Sequence, residues 1–208
     1  MKDSATIING VLYTHKILWE CCEINSQAAE KPPAEGSGPI YYELSAMLFA
    51  YLSYEAYLNF LGERVAPDAW ENERNFFNCD LYRGIAGKLK KICEACNIQD
   101  IDTSARPYQT IIELCKLRDY LAHGKPDRYE VNIRHSKDAE PGLFRSNLYQ
   151  RVTPKKMKRA IYDVKSLVEL LHLKASPYVA DSLFGDRPFE GIIEESDGDT
   201  TSKTPLCQ

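Results

Sequence analysis

Arg118, Asp119 and His123 have the side-chain types and the spacing for acid–base work on an anionic group. A guanidinium keeps its charge and grips phosphate or carboxylate through paired N–H groups. An imidazole moves protons near neutral pH. Four residues separate Asp119 from His123, so on a helix the carboxylate reaches the ring, orients it and favours its protonated form. The same residues also fit a purely structural account. A histidine in a last turn complements the helix dipole, an aspartate at i−4 is an ordinary surface partner, and a core arginine is neutralised by a buried carboxylate. Spacing alone leaves both accounts open.

The elements that must position these residues are helices. Gly124 supplies a left-handed helix end and Pro126 blocks resumption, so a helix opened by Pro107 is predicted to finish at His123. Walking back, Tyr108, Ile111, Ile112, Leu114, Cys115, Leu117, Leu121 and Ala122 cover one broad arc at about 100° per residue. Arg118 projects from near the middle of that arc, and a cation there needs a partner, a groove or an anionic ligand. The stretch from Ile40 to Val65 is apolar almost all round, which predicts a central helix. Glu55 and Asn59 interrupt it on one face, four residues apart, and place a buried acid where Arg118 needs one. The expectation is that the two helices pack with the guanidinium near Glu55 or Asn59.

Arg118-Asp119-x-x-x-His123, within Leu117-Arg118-Asp119 and Leu121-Ala122-His123-Gly124-Lys125, resembles the signature of the HEPN superfamily. That signature is an arginine, four to six residues, then a histidine, and the resemblance covers roughly Ile40 to His172. It implies an all-α, up-and-down bundle of four to five helices that often dimerises through the motif helix. It further implies metal-independent endoribonuclease chemistry by 2′-hydroxyl attack, with a composite site built from two copies of the motif. In that reading Arg118 and His123 are catalytic with Asp119, Glu55 and Asn59 support them, and no cofactor or metal is called for. RNA is the implied partner, alongside a homodimer mate and an antitoxin or regulatory partner of a toxin or defence effector. Asp119 stands where the family more often has Asn. Lys125 stands where some toxin members carry a tyrosine.

Composition bounds the alternatives. The 208 residues form one domain, predicted over 1–185, with an acidic and polar tail over 186–208. A formal charge of −4 gives no global attraction to nucleic acid, so RNA would need a local basic patch. Lys125, with Lys88 and Lys91 on the cationic flank of a helix expected from Leu81 to Asn97, is the candidate for it. That helix is predicted to start on an Asp80 cap, with Leu81, Ile85, Leu89 and Ile92 facing the core. Seven cysteines favour a reducing cytoplasm, and Met1-Lys2-Asp3-Ser4 begins no secretory leader. No run is long enough to span a membrane. Cys93-x-x-Cys96 is one pair without a second; a zinc-dependent regulator adding Cys115 is the remote alternative.

The remaining elements read as follows. Ser4–Ile24 is predicted as a first helix with His15 on its surface or boundary, and Gln27–Pro39 as a loop. Tyr129, Val131 and Ile133 alternate with polar residues as in a strand, which Leu148–Val152 would pair with in a minor hairpin. Thr153-Pro154 opens a last helix to about Leu173, beginning with Lys155, Lys156, Lys158 and Arg159. A non-catalytic helical module for dimerisation or nucleotide binding is the competing reading of the whole.

Overall fold

The structure, a computed structural model, describes residues 10–31, 38–124, 126, 147–179, 184–185, 187–190 and 193–195. The expected strand through Tyr129, Val131 and Ile133, and Lys125 itself, lie outside the described residues. Helices dominate: α1 (Thr14–Glu30), α2 (Pro39–Val65), the short α3 (Pro67–Glu71) and α4 (Glu73–Phe76), α5 (Gly84–Ala95), α6 (Tyr108–His123), the short α7 (Asn147–Arg151) and α8 (Pro154–Ala175). Three-residue strands β1 (Gly10–Leu12) and β2 (Ile193–Glu195) pair antiparallel, Leu12 opposite Ile193.

Helix α2 is the axis of the molecule and packs against α1, α5, α6 and α8. Its all-round apolarity is used: Ala46, Ala50, Tyr54, Tyr57, Leu58 and Leu61 are all buried. Small residues let neighbours approach. Ser53 is buried and donates a hydrogen bond to the carbonyl of His15 at 2.8 Å, pinning the start of α1. A Cβ at Gly62 would fall 2.1 Å from the Trp70 ring, so only glycine admits the indole that seats α3 on α2. The last long helix opens as its sequence dictates, with Thr153 Oγ1 accepting from the Lys156 N–H and Pro154 in the first turn.

Helix α6 is held from two sides. Asp163, buried on α8, accepts from Arg106 Nε and Nη2 at 2.7 Å each and from Thr110 Oγ1 at 2.6 Å. This knot fixes the approach to α6, while Ile111, Leu114 and Leu117 bury its inner face. Gly124, at φ 53°, ends the helix in the left-handed region.

Several expectations are corrected. The first helix starts at Thr14 and continues to Glu30, into the predicted loop, because Gly10–Leu12 is taken by the strand pairing. His15 lies one turn before Trp19 and two before Cys22, on the inner face of α1, and it is buried, not on the surface. Asp80–Tyr82 forms a separate 3-10 turn, α5 begins only at Gly84 (φ 60°), and Leu81 is exposed. Leu148–Arg151 is helical and not the second arm of a hairpin. Leu148 and Val152 are four apart and both turn inward, and the Val152 N–H closes the turn on the Leu148 carbonyl at 2.9 Å. The chain after residue 185 also takes part in the fold: Phe189 stacks on Trp19 and Ile193–Glu195 is strand β2. Residues 187–190 and 193–195, within the stretch expected as a tail over 186–208, thus belong to described structure, and 196–208 lie outside the described residues.

Candidate active site at the end of α6

Arg118 lies against α2, half-exposed, where its charge can be met. Its Nη1 donates to Asp119 Oδ1 at 2.9 Å, and its Nη2 is 3.7 Å from Glu55 Oε2. The guanidinium sits 5.7 Å from the Tyr51 ring centre. Partial burial opposes its charge, but Tyr51, Glu55 and Asp119 outweigh this and hold its pKa above the ordinary value. Arg118 thus meets Glu55 from the apolar arc, as its position there requires.

Tyr51 is the member of the cluster that sequence reasoning missed. It lies one turn before Glu55 on α2, so the spacing that selected Glu55 and Asn59 also reaches back to it. It is fully buried, its hydroxyl oxygen has no hydrogen-bond partner within normal distance among the described residues, and burial, followed by the neighbouring Cys115, raises its pKa.

Asn59 and Lys88 belong elsewhere. Asn59 Oδ1 accepts from Lys88 Nζ at 2.7 Å and from Trp70 Nε1 at 3.3 Å, so it serves the α2–α3–α5 junction and not Arg118. Lys88 is buried, paired also with Glu73, and not part of an exposed RNA-facing flank. The reason is periodicity: Lys88 and Ile92 are one turn apart and Leu89 adjoins them, so Lys88 shares the buried side of α5. Lys91 stays partly exposed, 5.7 Å from the Phe76 ring centre.

His123 stands exposed in the last turn of α6, without a hydrogen bond or ion pair to any described residue. The expected Asp119–His123 contact is absent. Asp119 directs an oxygen to Arg118 instead, because a fixed cation next in sequence outcompetes a ring at a solvated helix end. Burial pushes Cys93 up to about 11 and also raises Cys96, which keeps both as thiols at neutral pH. Among the described residues no three His, Cys, Asp or Glu side chains are grouped to hold a metal ion, and no helix is long and apolar enough to cross a membrane. A separate cavity of about 600 Å³, between α1, α8 and residues 185 and 187–190, includes no motif residue.

Comparison with protein families, with curated proteins and with solved structures finds no match to this chain.

Proposed function

We propose that the protein is a metal-independent endoribonuclease of HEPN type, acting as a homodimer in which two α6 ends face one groove. The observation that carries this reading is the pairing of an anchored arginine with an unengaged histidine at one exposed helix end. Arg118 is steadied by Glu55 yet half-exposed, with N–H groups left for a phosphoryl oxygen. His123 is free to take a proton from the 2′-hydroxyl or to give one to the leaving 5′-oxygen. RNA brings its own nucleophile, so clamping, proton transfer and charge stabilisation are all the protein must supply.

Helix geometry argues for two copies. Five residues advance about 7.5 Å along an α-helix and turn about 140° around it. Arg118 and His123 of one chain therefore diverge, and one scissile phosphate is best reached by the arginine of one copy and the histidine of the other. An antitoxin or other inhibitory partner would act by covering that groove.

A second reading, a non-catalytic dimerisation module, is favoured by one observation: two carboxylates, Glu55 and Asp119, flank the single Arg118 cation. The test separates the two. Purified wild type is incubated with a mixed RNA substrate, with and without EDTA, beside His123→Ala and Arg118→Ala, and the cleaved ends are sequenced. The nuclease reading expects EDTA-resistant cleavage leaving 2′,3′-cyclic phosphate and 5′-hydroxyl ends, lost in both variants. Cleavage persisting in His123→Ala sinks the catalytic assignment. A strictly monomeric protein in light scattering removes the composite site.

A further inference from the structure

A second concentration of chemistry lies on the neighbouring face of α6. Lys116 of α6, Arg151 at the end of α7, and Lys156 and Arg159 at the start of α8 line one cleft of about 240 Å³, with Glu113 as the acid among them. Four cations against one carboxylate is a strong local excess in a chain whose net charge is −4. The described residues do not use up these charges. Among the described residues Lys116 has no hydrogen-bond or ion-pair partner, and Arg151 lies over the Tyr120 ring at 5.1 Å. Lys156 Nζ donates to a neutral acceptor, the Gln150 carbonyl. Arg159 gives one guanidinium nitrogen to Glu113, but its buried Nε has no acceptor among the described residues.

A desolvated guanidinium N–H without an acceptor leaves the Arg159 charge only partly satisfied by its surroundings. The floor, formed by Met47, Leu114, Leu117 and Ala160, is apolar and lowers the local dielectric, which strengthens attraction for an anion at the rim. The cleft is smaller than the roughly 300–1,000 Å³ of pockets that enclose a whole small ligand. It suits one charged end of a ligand whose remainder stays outside. The first turn of α8 adds the positive end of a 22-residue helix.

We infer that the α6–α8 cleft binds a phosphate group, as a monoester or diester, through Lys116, Arg151, Lys156 and Arg159. An RNA strand and a free phosphorylated small molecule share this chemistry. The site does not depend on the ribonuclease reading, since none of its residues belongs to the Arg118–His123 motif. Glu113 is the internal competitor: a bound phosphate takes over the guanidinium that Glu113 now holds.

The experiment titrates the full chain with inorganic phosphate and AMP by calorimetry, and with a fluorescein-labelled single-stranded RNA decamer by anisotropy. Wild type is compared with Lys116→Gln/Arg151→Gln, both exposed and so compatible with folding, and with Glu113→Gln. At least one ligand is expected to bind about tenfold more weakly to the double variant. That same ligand should bind about fivefold more tightly to Glu113→Gln, which removes a nearby like charge. If the strand is the source, its salt slope falls by about 1.4 for two lost contacts. If AMP or phosphate responds, the source is a free ligand. The inference is overturned if wild type binds none of the three, or if the affinities are the same in all three proteins. His123→Ala should keep the phosphate and AMP affinities. An inactive wild type with an intact charge dependence would thus remove the nuclease reading and leave the cleft.

Discussion

His15 should make the stability of this protein depend on pH, with a size the structure allows to be worked out. The ring is packed between Phe60 (4.6 Å between centroids), Tyr57 (5.5 Å) and Tyr13 (5.8 Å), and is almost wholly buried. Burial foremost, then the positive charges of Lys16, Arg64 and His172, lower its pKa from 6.5 to about 4, with the Pro188 backbone opposing. Between these values the unfolded chain holds a proton that the folded chain refuses. The stabilisation is therefore complete above about pH 6.5 and is lost as pH falls towards 4. At about 1.4 kcal/mol per pKa unit, the full effect is about 3 kcal/mol, most of it gone by pH 4.5. Carboxylates titrate in part of the same range, so the assay is a difference. Urea unfolding followed by far-ultraviolet circular dichroism, at steps from pH 7 to 4.5, compares wild type with His15→Phe. That change keeps an aromatic ring, leaves the carbonyl that accepts from Ser53, and cannot take a proton. The wild-type curve should fall more steeply by about 2.5 kcal/mol across that range. Curves parallel to within about 0.5 kcal/mol would refute the reasoning.

Four further outcomes follow from the packing. Asp163→Ala removes the acceptor of three hydrogen bonds, stranding the buried Thr110 hydroxyl, and should lower Tm by about 10 °C. Part of that loss should return in a Thr110→Val background in scanning calorimetry. Gly87→Ala places a Cβ 1.9 Å from the Tyr82 carbonyl oxygen and should cost about 1–3 kcal/mol or more in urea unfolding. Gly84→Ala, with open space but φ +60°, should cost about 1–2 kcal/mol. Lys88→Met should destabilise by about 1–3 kcal/mol while leaving RNA affinity in anisotropy titrations unchanged, since its ammonium faces Asn59 and Glu73.

Where the sequence could be read, one helix carried the whole signal. The extent of α6 follows from Pro107, an apolar arc and Gly124, and the need of Arg118 for an acid follows from its place in that arc. Asn59 was misplaced for a reason internal to helices. It shares a face with Glu55, but what stands opposite each turn depends on a neighbour's register. Arg118 arrives opposite Glu55, whereas Lys88 and Trp70 arrive opposite Asn59. Lys88 stands in a run of cations with Lys90 and Lys91, and only its periodicity with Ile92 places it on the buried side of α5. The α6–α8 cleft was half visible as a basic cluster at the start of the last helix. Lys116 and Arg151 join it only through tertiary packing, which no spacing along the chain announces. The apolar residues of Leu148–Val152 fit a strand pattern as well as a single helical turn, and over five residues the two periods cannot be told apart.

The placement of the two tryptophans gives the molecule a pair of native optical reporters on different junctions. Trp19 stacks on Phe189 with ring centroids 4.2 Å apart and planes 11° from parallel, and its Nε1 donates to Glu23 at 3.1 Å. Trp70 lies over Gly62, edge-on to Phe77, with its Nε1 on Asn59. Emission from Trp19 therefore reads whether the segment around Phe189 is seated on α1. Emission from Trp70 reads whether α3 is seated on α2. A Trp70→Phe protein would isolate the first signal, and lifting of the 187–190 segment would then appear as a red shift before any helix content is lost.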